Sequence, residues 1–350
     1  MGYAMTDVGY RNTLERISPL WLGLGIGGSS LVLLLVSETL LGRWDALPMD
    51  GEFDPLARSP TGLLRDLRLA VVHCLLAGYL PAALLRVVQS GRRQVLSLRK
   101  ALGCTREECE ALSASVRLGT RGLVIAGMIG LAFAMAGPYL VQPVPATPWL
   151  PRSWSPEVAW HRLLGPPIGI LTWWLGYAVV SVSTRMSRLA RRLRHIDLLD
   201  LSALAPFTRQ GLTNALLILG LIAIWSLMLL ETGFGQMMVT YGGSALVVTA
   251  FALLYPVRGV HERIRQAKEA ELGWANGEIA MCRHALQGSA TGQSRGRMAD
   301  LVAYRSLIES TPDWPFTTST YTRLVLYLLI PVFSWGLGII AEEIVSRILF

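Results

Sequence analysis

The chain alternates long apolar runs with arginine-bearing connections. Stretches close to or above the roughly 20 residues needed to cross ~30 Å of hydrocarbon occur at approximately 20–42, 67–89, 121–141, 165–185, 211–231, 237–257 and 322–342. Each predicts a transmembrane helix, so the expected fold class is all-α, a polytopic bundle of about seven spans. The second span is the least regular because Arg68, His73 and Arg86 lie within it. Both arginines sit near its ends, where a long side chain reaches the interface.

Arginine placement sets an orientation, since cytoplasmic connections retain Lys and Arg while exported ones lose them. Arg86, Arg92, Arg93, Arg99, Lys100, Arg106 and Arg117 crowd the connection after the second span. Arg185, Arg188, Arg191, Arg192, Arg194 and Arg209 follow the fourth, and Arg258, Arg263, Arg265, Lys268, Arg283, Arg295, Arg297 and Arg305 follow the sixth. The alternate connections are poor in net positive charge: Arg43, Arg58 and Arg65 are diluted by Asp45, Asp50, Glu52 and Asp54, and the next holds only Arg152 and Arg162. This predicts the N-terminus inside and the C-terminus outside.

Between the spans, the chain reads as folded helical hairpins. Gly103 has the position of a helix C-cap, and Thr105-Arg106-Glu107-Glu108 has capping-box spacing, followed by a stripe of Cys109, Leu112 and Val116. Beyond Pro256, Val260, Ile264, Ala267, Leu272, Ala275, Ile279, Cys282 and Leu286 recur at helical spacing. Gly288 to Gly296 then reads as a turn and Met298, Leu301, Val302, Arg305 and Ile308 as a returning helix. The expected organisation is a six-helix transmembrane region at 1–256, including a cytoplasmic hairpin at 86–117, a second cytoplasmic hairpin at 257–321, and a last span at 322–350. Asp313-Trp314-Pro315-Phe316 is expected at the membrane surface. Pro143, Pro145, Pro148, Trp149, Pro151, Trp154, Pro156 and Trp160 predict a connection that cannot be a long helix and that lies in the headgroup layer.

Composition agrees with a lipid solvent: 52% of residues are hydrophobic, 16% are charged and the mean hydropathy is +0.44, against roughly 25% charged in soluble domains. The formal charge of +8 resides in connections rather than in a stripe on one domain, which argues against a nucleic-acid partner. The four cysteines, Cys74, Cys104, Cys109 and Cys282, fall in no exported segment and are expected as free thiols. The run from Leu20 is long and lacks a small-x-small site, so it is expected to remain as a signal anchor.

Several titratable groups converge on the predicted outer side: Glu38, Asp66, His73, Glu231, Glu342 and Glu343. Together they suggest a polar vestibule, with a Glu38–His73 contact as its sharpest feature. The alternative is that the carboxylates sit in the wet interface and His73 makes one packing hydrogen bond to another helix. Gly23 and Gly27, and Gly165 and Gly169, have small-xxx-small spacing that lets helix backbones approach closely, within one subunit or between copies. Pro81, Pro166, Pro167 and Pro331 are placed to kink or begin helices.

No P-loop, HExxH, GxSxG or dinucleotide fingerprint is present, and no cofactor or metal is expected. A Cys₃His site from Cys104, Cys109, Cys282 and His284 would need two connections to meet. Asp197 and Asp200 have i,i+3 spacing that would suit a divalent ion near lipid phosphate, or would balance Arg191, Arg192 and Arg194 on an interfacial helix. At Asp197-Leu198-Leu199-Asp200-Leu201, Leu204-Ala205-Pro206-Phe207-Thr208-Arg209-Gln210-Gly211-Leu212, Trp314-Pro315-Phe316 and Leu326-Tyr327-Leu328-Leu329-Ile330-Pro331, the chain resembles a group of bacterial polytopic inner-membrane proteins. The resemblance lies mainly in the C-terminal half and implies no activity.

The first functional expectation is a channel or facilitator for ions or small solutes, formed by a homo-oligomer or membrane complex. The alternative is a non-catalytic membrane subunit or scaffold, with a cytoplasmic partner at 257–311. A lipid-modifying enzyme using Asp197 and Asp200 ranks last.

Overall fold

The computed structural model describes residues 17–40, 60–141, 156–193, 196–227, 243–288 and 292–316, with a few helical positions between 322 and 329. Every regular element among the described residues is helical. In chain order these are α1 (Pro19–Leu40), α2 (Pro60–Ser97), α3 (Arg99–Leu102), α4 (Arg106–Ser115), α5 (Thr120–Val141) and α6 (Pro156–Ala190). A 3₁₀ turn (Leu201–Leu204) leads into α7 (Ala205–Ser226), followed by α8 (Gly243–Leu254), α9 (Arg258–Gly288) and α10 (Gly292–Ser310).

Five helices among the described residues are long and apolar enough to cross a membrane, those of the first five expected spans. Of the expected sixth span, the described part is the 12-residue α8. The expected seventh lies almost wholly outside the described residues.

Helices α2, α6 and α7 form the centre. Val72, Leu76, Leu80, Ala83 and Val87 of α2 meet Leu175, Ala178, Val179, Val182 and Met186 of α6, with Phe207, Ile218 and Leu221 of α7 completing the cluster. Against this centre, α1 and α5 keep large apolar side chains outside: Leu20, Trp21, Leu24, Val32 and Leu33 on the first, Val124, Ile125, Met128 and Phe133 on the second. An apolar exterior that continuous is unsuited to water and suits lipid.

The contacts alternate in direction as a bundle of sequential crossings requires. Gly23 meets Ala82 while Gly27 meets Gly78, so α1 and α2 run antiparallel. Trp174 donates its indole N–H to the Leu123 carbonyl at 2.7 Å, and Gly169 faces Gly130, so α5 and α6 do too. Consequently the C-terminal ends of α2, α6 and α8 gather with α3, α4 and the start of α7 at one end, which also carries most of the arginines.

That end is a folded cap. Gly103 closes α3 with φ 61°, the left-handed conformation that favours glycine. Thr105 caps α4: its Oγ1 accepts from the Glu108 amide at 3.2 Å, and the Glu108 carboxylate accepts from the Thr105 amide at 2.8 Å. Arg92 donates to the Val116 carbonyl at 3.2 Å and Ser113 Oγ donates to the Arg92 carbonyl at 3.3 Å, which ties α4 to α2. Helix α9 seats on the same end, with Gly259 against the Ser187 backbone and Arg263 donating to the Leu193 carbonyl at 2.9 Å.

Three expectations change. Helix α6 begins at Pro156 rather than after the proline-rich segment, because a first-turn proline has no backbone amide to leave unpaired; Pro143 through Trp154 lie outside the described residues. No interfacial helix forms near Asp197. That segment is a turn and a 3₁₀ element whose Ile196, Leu198 and Leu204 are buried in the core while Leu199 is exposed. Finally, Cys104 and Cys109 are joined as a disulfide, with Cα atoms 5.9 Å apart, whereas Cys74 and Cys282 are free and buried. The residue before an N-cap and the fourth helical residue face each other, which is where these two cysteines stand.

Candidate functional site

Polar residues that enter a helix bundle must find partners inside it. On α7, Gln210 and Asn214 are four apart and share a face. Both are fully buried, as is Ser183 of α6. Gln210 Nε2 donates to Asn214 Oδ1 at 2.8 Å, and Asn214 Nδ2 donates to Ser183 Oγ at 3.0 Å. This seam lies within about two to three helical turns of the arginine-rich end, with Arg209 next to Gln210 and Arg185 two residues beyond Ser183. Beside it Ser90 of α2 reaches Thr213 at 3.5 Å, so three helices are stitched together at one level. Gln210 Oε1 is buried with no hydrogen-bond partner among the described residues.

Of the expected vestibule, His73 is the member whose side chain is described. It is buried, and its Nδ1 lies 2.6 Å from the Leu69 carbonyl. A carbonyl only accepts, so Nδ1 carries the proton and Nε2 is the acceptor in the neutral ring. Glu38 and Asp66 stand on α1 and α2, but their side chains, and therefore the Glu38–His73 contact, lie outside the described residues. Glu231, Glu342 and Glu343 lie outside them entirely.

The small-residue positions separate into two kinds. Gly23, Gly27 and Gly169 stand at contacts within the chain: a Cβ on Gly169 would lie 2.6 Å from Ala134 Cβ and 2.7 Å from the Gly130 carbonyl oxygen. Gly165, one turn earlier, has nothing within 4 Å. Gly169→Ala is accordingly expected to lower stability by about 1 kcal/mol in detergent unfolding, and Gly165→Ala to leave it unchanged or slightly raised.

Asp197 and Asp200 serve the turn they occupy. Asp197 Oδ1 accepts from the Leu199 and Asp200 amides at 2.9 and 3.3 Å, and Asp200 Oδ1 accepts from the Ser202 amide at 2.9 Å. The Ser202 hydroxyl and amide hold the exposed Asp200 carboxyl below its usual range. A lowered folded-state value means that its help to this turn is present at neutral pH and lost only as acid protonates it. No cluster of three or more metal-ligating side chains occurs among the described residues.

The second feature is the α9/α10 hairpin. At its base, Trp314 stacks on His261 with centroids 4.1 Å apart and Phe316 stacks on Trp314 at 5.8 Å. His261 Nδ1 donates to the Asp313 carbonyl at 2.9 Å, and Lys268 reaches the Thr311 carbonyl at 2.8 Å and Asp313 Oδ1 at 3.2 Å. The segment expected at the membrane surface therefore clasps α9. Further out, Trp274 and Tyr304 meet edge to face with centroids 6.0 Å apart. They line a cleft of ≈ 610 Å³ with Glu271, Arg297, Asp300 and Leu301. Tyr304 donates its hydroxyl to Glu271 at 3.2 Å, and Arg297 pairs with Glu278 at 2.6 Å. Desolvation, and then the Glu271 carboxylate, push the Tyr304 phenol up from its ordinary value, so it remains a donor at neutral pH.

No protein-family model, curated protein or solved structure matches this chain. The geometry above is thus what bears on function. Neither the seam nor the cleft was singled out from sequence. Gln210 and Asn214 carry a usable signal, two amides at i,i+4 on an otherwise apolar run, whereas Trp274 lies off the expected apolar stripe of α9.

Proposed function

We propose that the chain is a multi-pass bacterial inner-membrane protein of about seven spans that acts as a non-catalytic membrane subunit, presenting its α9/α10 hairpin to a cytoplasmic partner. In this reading the arginine-rich end and the N-terminus face the cytoplasm and the C-terminus faces outward. The observation that carries it is the way the hairpin is held. Its first turn lies backbone to backbone on α6 at Gly259, Arg191 and Glu262 pair across the junction at 3.2 Å, and the stacked clasp closes its base. A hairpin so fixed leaves large half-exposed side chains of α9 displayed. Trp274 and Met281, seven residues apart on α9 and hence on one face, are 53% and 59% exposed, a placement suited to contact with another protein.

Native mass spectrometry of the protein released gently from its own membrane tests this. The expected result is a stoichiometric complex with a different protein, lost in the Trp274→Ser/Met281→Ser variant while insertion and the thermal midpoint are retained. A homo-oligomer with nothing else bound, unchanged in that variant, contradicts it. The channel or facilitator reading keeps one supporting observation, the buried Ser183–Asn214–Gln210 seam, whose Gln210 Oε1 has no partner among the described residues. It requires that His73→Ala or Glu38→Gln abolish solute flux in proteoliposomes, and equal flux in both removes it.

A further inference from the structure

The cleft between α9 and α10 has a composition unlike the rest of the arginine-rich end. The chain carries a formal charge of +8, yet this cleft places two carboxylates, Glu271 and Asp300, beside an aromatic pair, Trp274 and Tyr304. Its one cation, Arg297, is already matched by Glu278. We propose that the cleft binds the guanidinium group of an arginine side chain on a partner polypeptide, an inference that rests on the scaffold reading above.

Three features favour that group. A cation over an indole or phenol ring is attracted by the ring quadrupole, and more strongly where water is partly excluded. Guanidinium is planar and weakly hydrated, so it stacks on a ring while its N–H groups bond a carboxylate in two-pronged fashion. Glu271 suits this role. The Tyr304 hydroxyl fixes it at 3.2 Å and takes only one of its acceptor positions. The volume, ≈ 610 Å³, lies within the ~300–1,000 Å³ usual for ligand sites and accommodates the methylene stem together with its head.

The experiment titrates a fluorescein-labelled tri-arginine amide into the full-length protein in uncharged maltoside micelles and reads anisotropy, with a tri-lysine amide as the matched cation. The tri-arginine peptide is expected to bind and the tri-lysine peptide to bind at least about fivefold more weakly. Glu271→Gln and Trp274→Leu each weaken binding by about tenfold, the loss of one charge-assisted contact. Arg297→Gln strengthens it, because the variant removes a like charge and leaves Glu278 unmatched. Asp300 is exposed, so Asp300→Asn preserves the hairpin and weakens binding even if Glu271→Gln disturbs folding. Absence of binding to the wild type, equal binding by all variants, or weaker binding by Arg297→Gln overturns the proposal. A wild-type complex retained in native mass spectrometry without peptide binding removes the guanidinium alone. Peptide binding without any protein partner removes the scaffold reading and leaves a cation site.

Discussion

Gly78→Leu is expected to cost about 3 kcal/mol of stability, near the upper part of the usual range for forcing bulk into a closed contact. A Cβ at this position would lie 2.5 Å from the Gly23 carbonyl oxygen and 2.9 Å from the Gly27 backbone, where no rotamer change gives relief because the neighbours are main chain. The added side chain must push α1 off α2. The same two helices also meet at the small Leu34–Ala70–Cys74 cluster and through the Gln89 amide, which donates to the Ile17 carbonyl at 2.9 Å. Gly25→Leu and Gly28→Leu provide the contrast, because both positions face open space and are expected to change stability by less than about 0.5 kcal/mol. Unfolding in graded sodium dodecyl sulfate reads all three. Equal loss in the three variants would mean that α1 is sensitive to bulk in general and that the Gly23–Gly27–Gly78 contact is not what seats it.

Asn214→Leu is the next largest. Asparagine at this position is both acceptor and donor, so leucine strands Gln210 Nε2 and Ser183 Oγ together inside the bundle. Each buried group that loses its partner costs about 1–3 kcal/mol in proteins generally, and less where other helices offer substitutes in a membrane. A total of about 2 kcal/mol is expected. The double variant Gln210→Leu/Asn214→Leu should recover part of it, since no amide is then left without a partner at that level. A single variant as stable as wild type would show that the seam contributes nothing to holding α6 on α7.

The elements legible in the sequence are those fixed by short-range chemistry. Gly103 ends α3 in the left-handed conformation, Thr105 and Glu108 exchange capping bonds, and Val260, Ile264 and Ala275 are buried on one stripe of α9. The expected features that failed depended on context. Pro156 was read as a break, but at a helix start it is compatible with the first turn. An interfacial helix is expected at Asp197, but the segment is a turn and a 3₁₀ element that bury Leu198 and Leu204 while Leu199 stays exposed. The buried seam is not legible in the sequence because Ser, Asn and Gln carry no charge signal and because Ser183, which accepts from Asn214, stands on another helix 31 residues away. The cleft escaped for a related reason: Trp274 and Tyr304 lie 30 positions apart and meet only when α9 and α10 fold back on each other.

Site-directed labelling reports whether the hairpin stands on the cytoplasmic side of a multi-pass protein. In a variant whose four native cysteines are replaced by serine, Gly277→Cys places a thiol on α9 at a position with open space around it, and Arg152→Cys places one in the predicted outer connection. A membrane-impermeant maleimide is expected to label Arg152→Cys in intact spheroplasts and Gly277→Cys only after the membrane is opened. Labelling of Gly277→Cys in intact spheroplasts would put the hairpin outside and contradict the account.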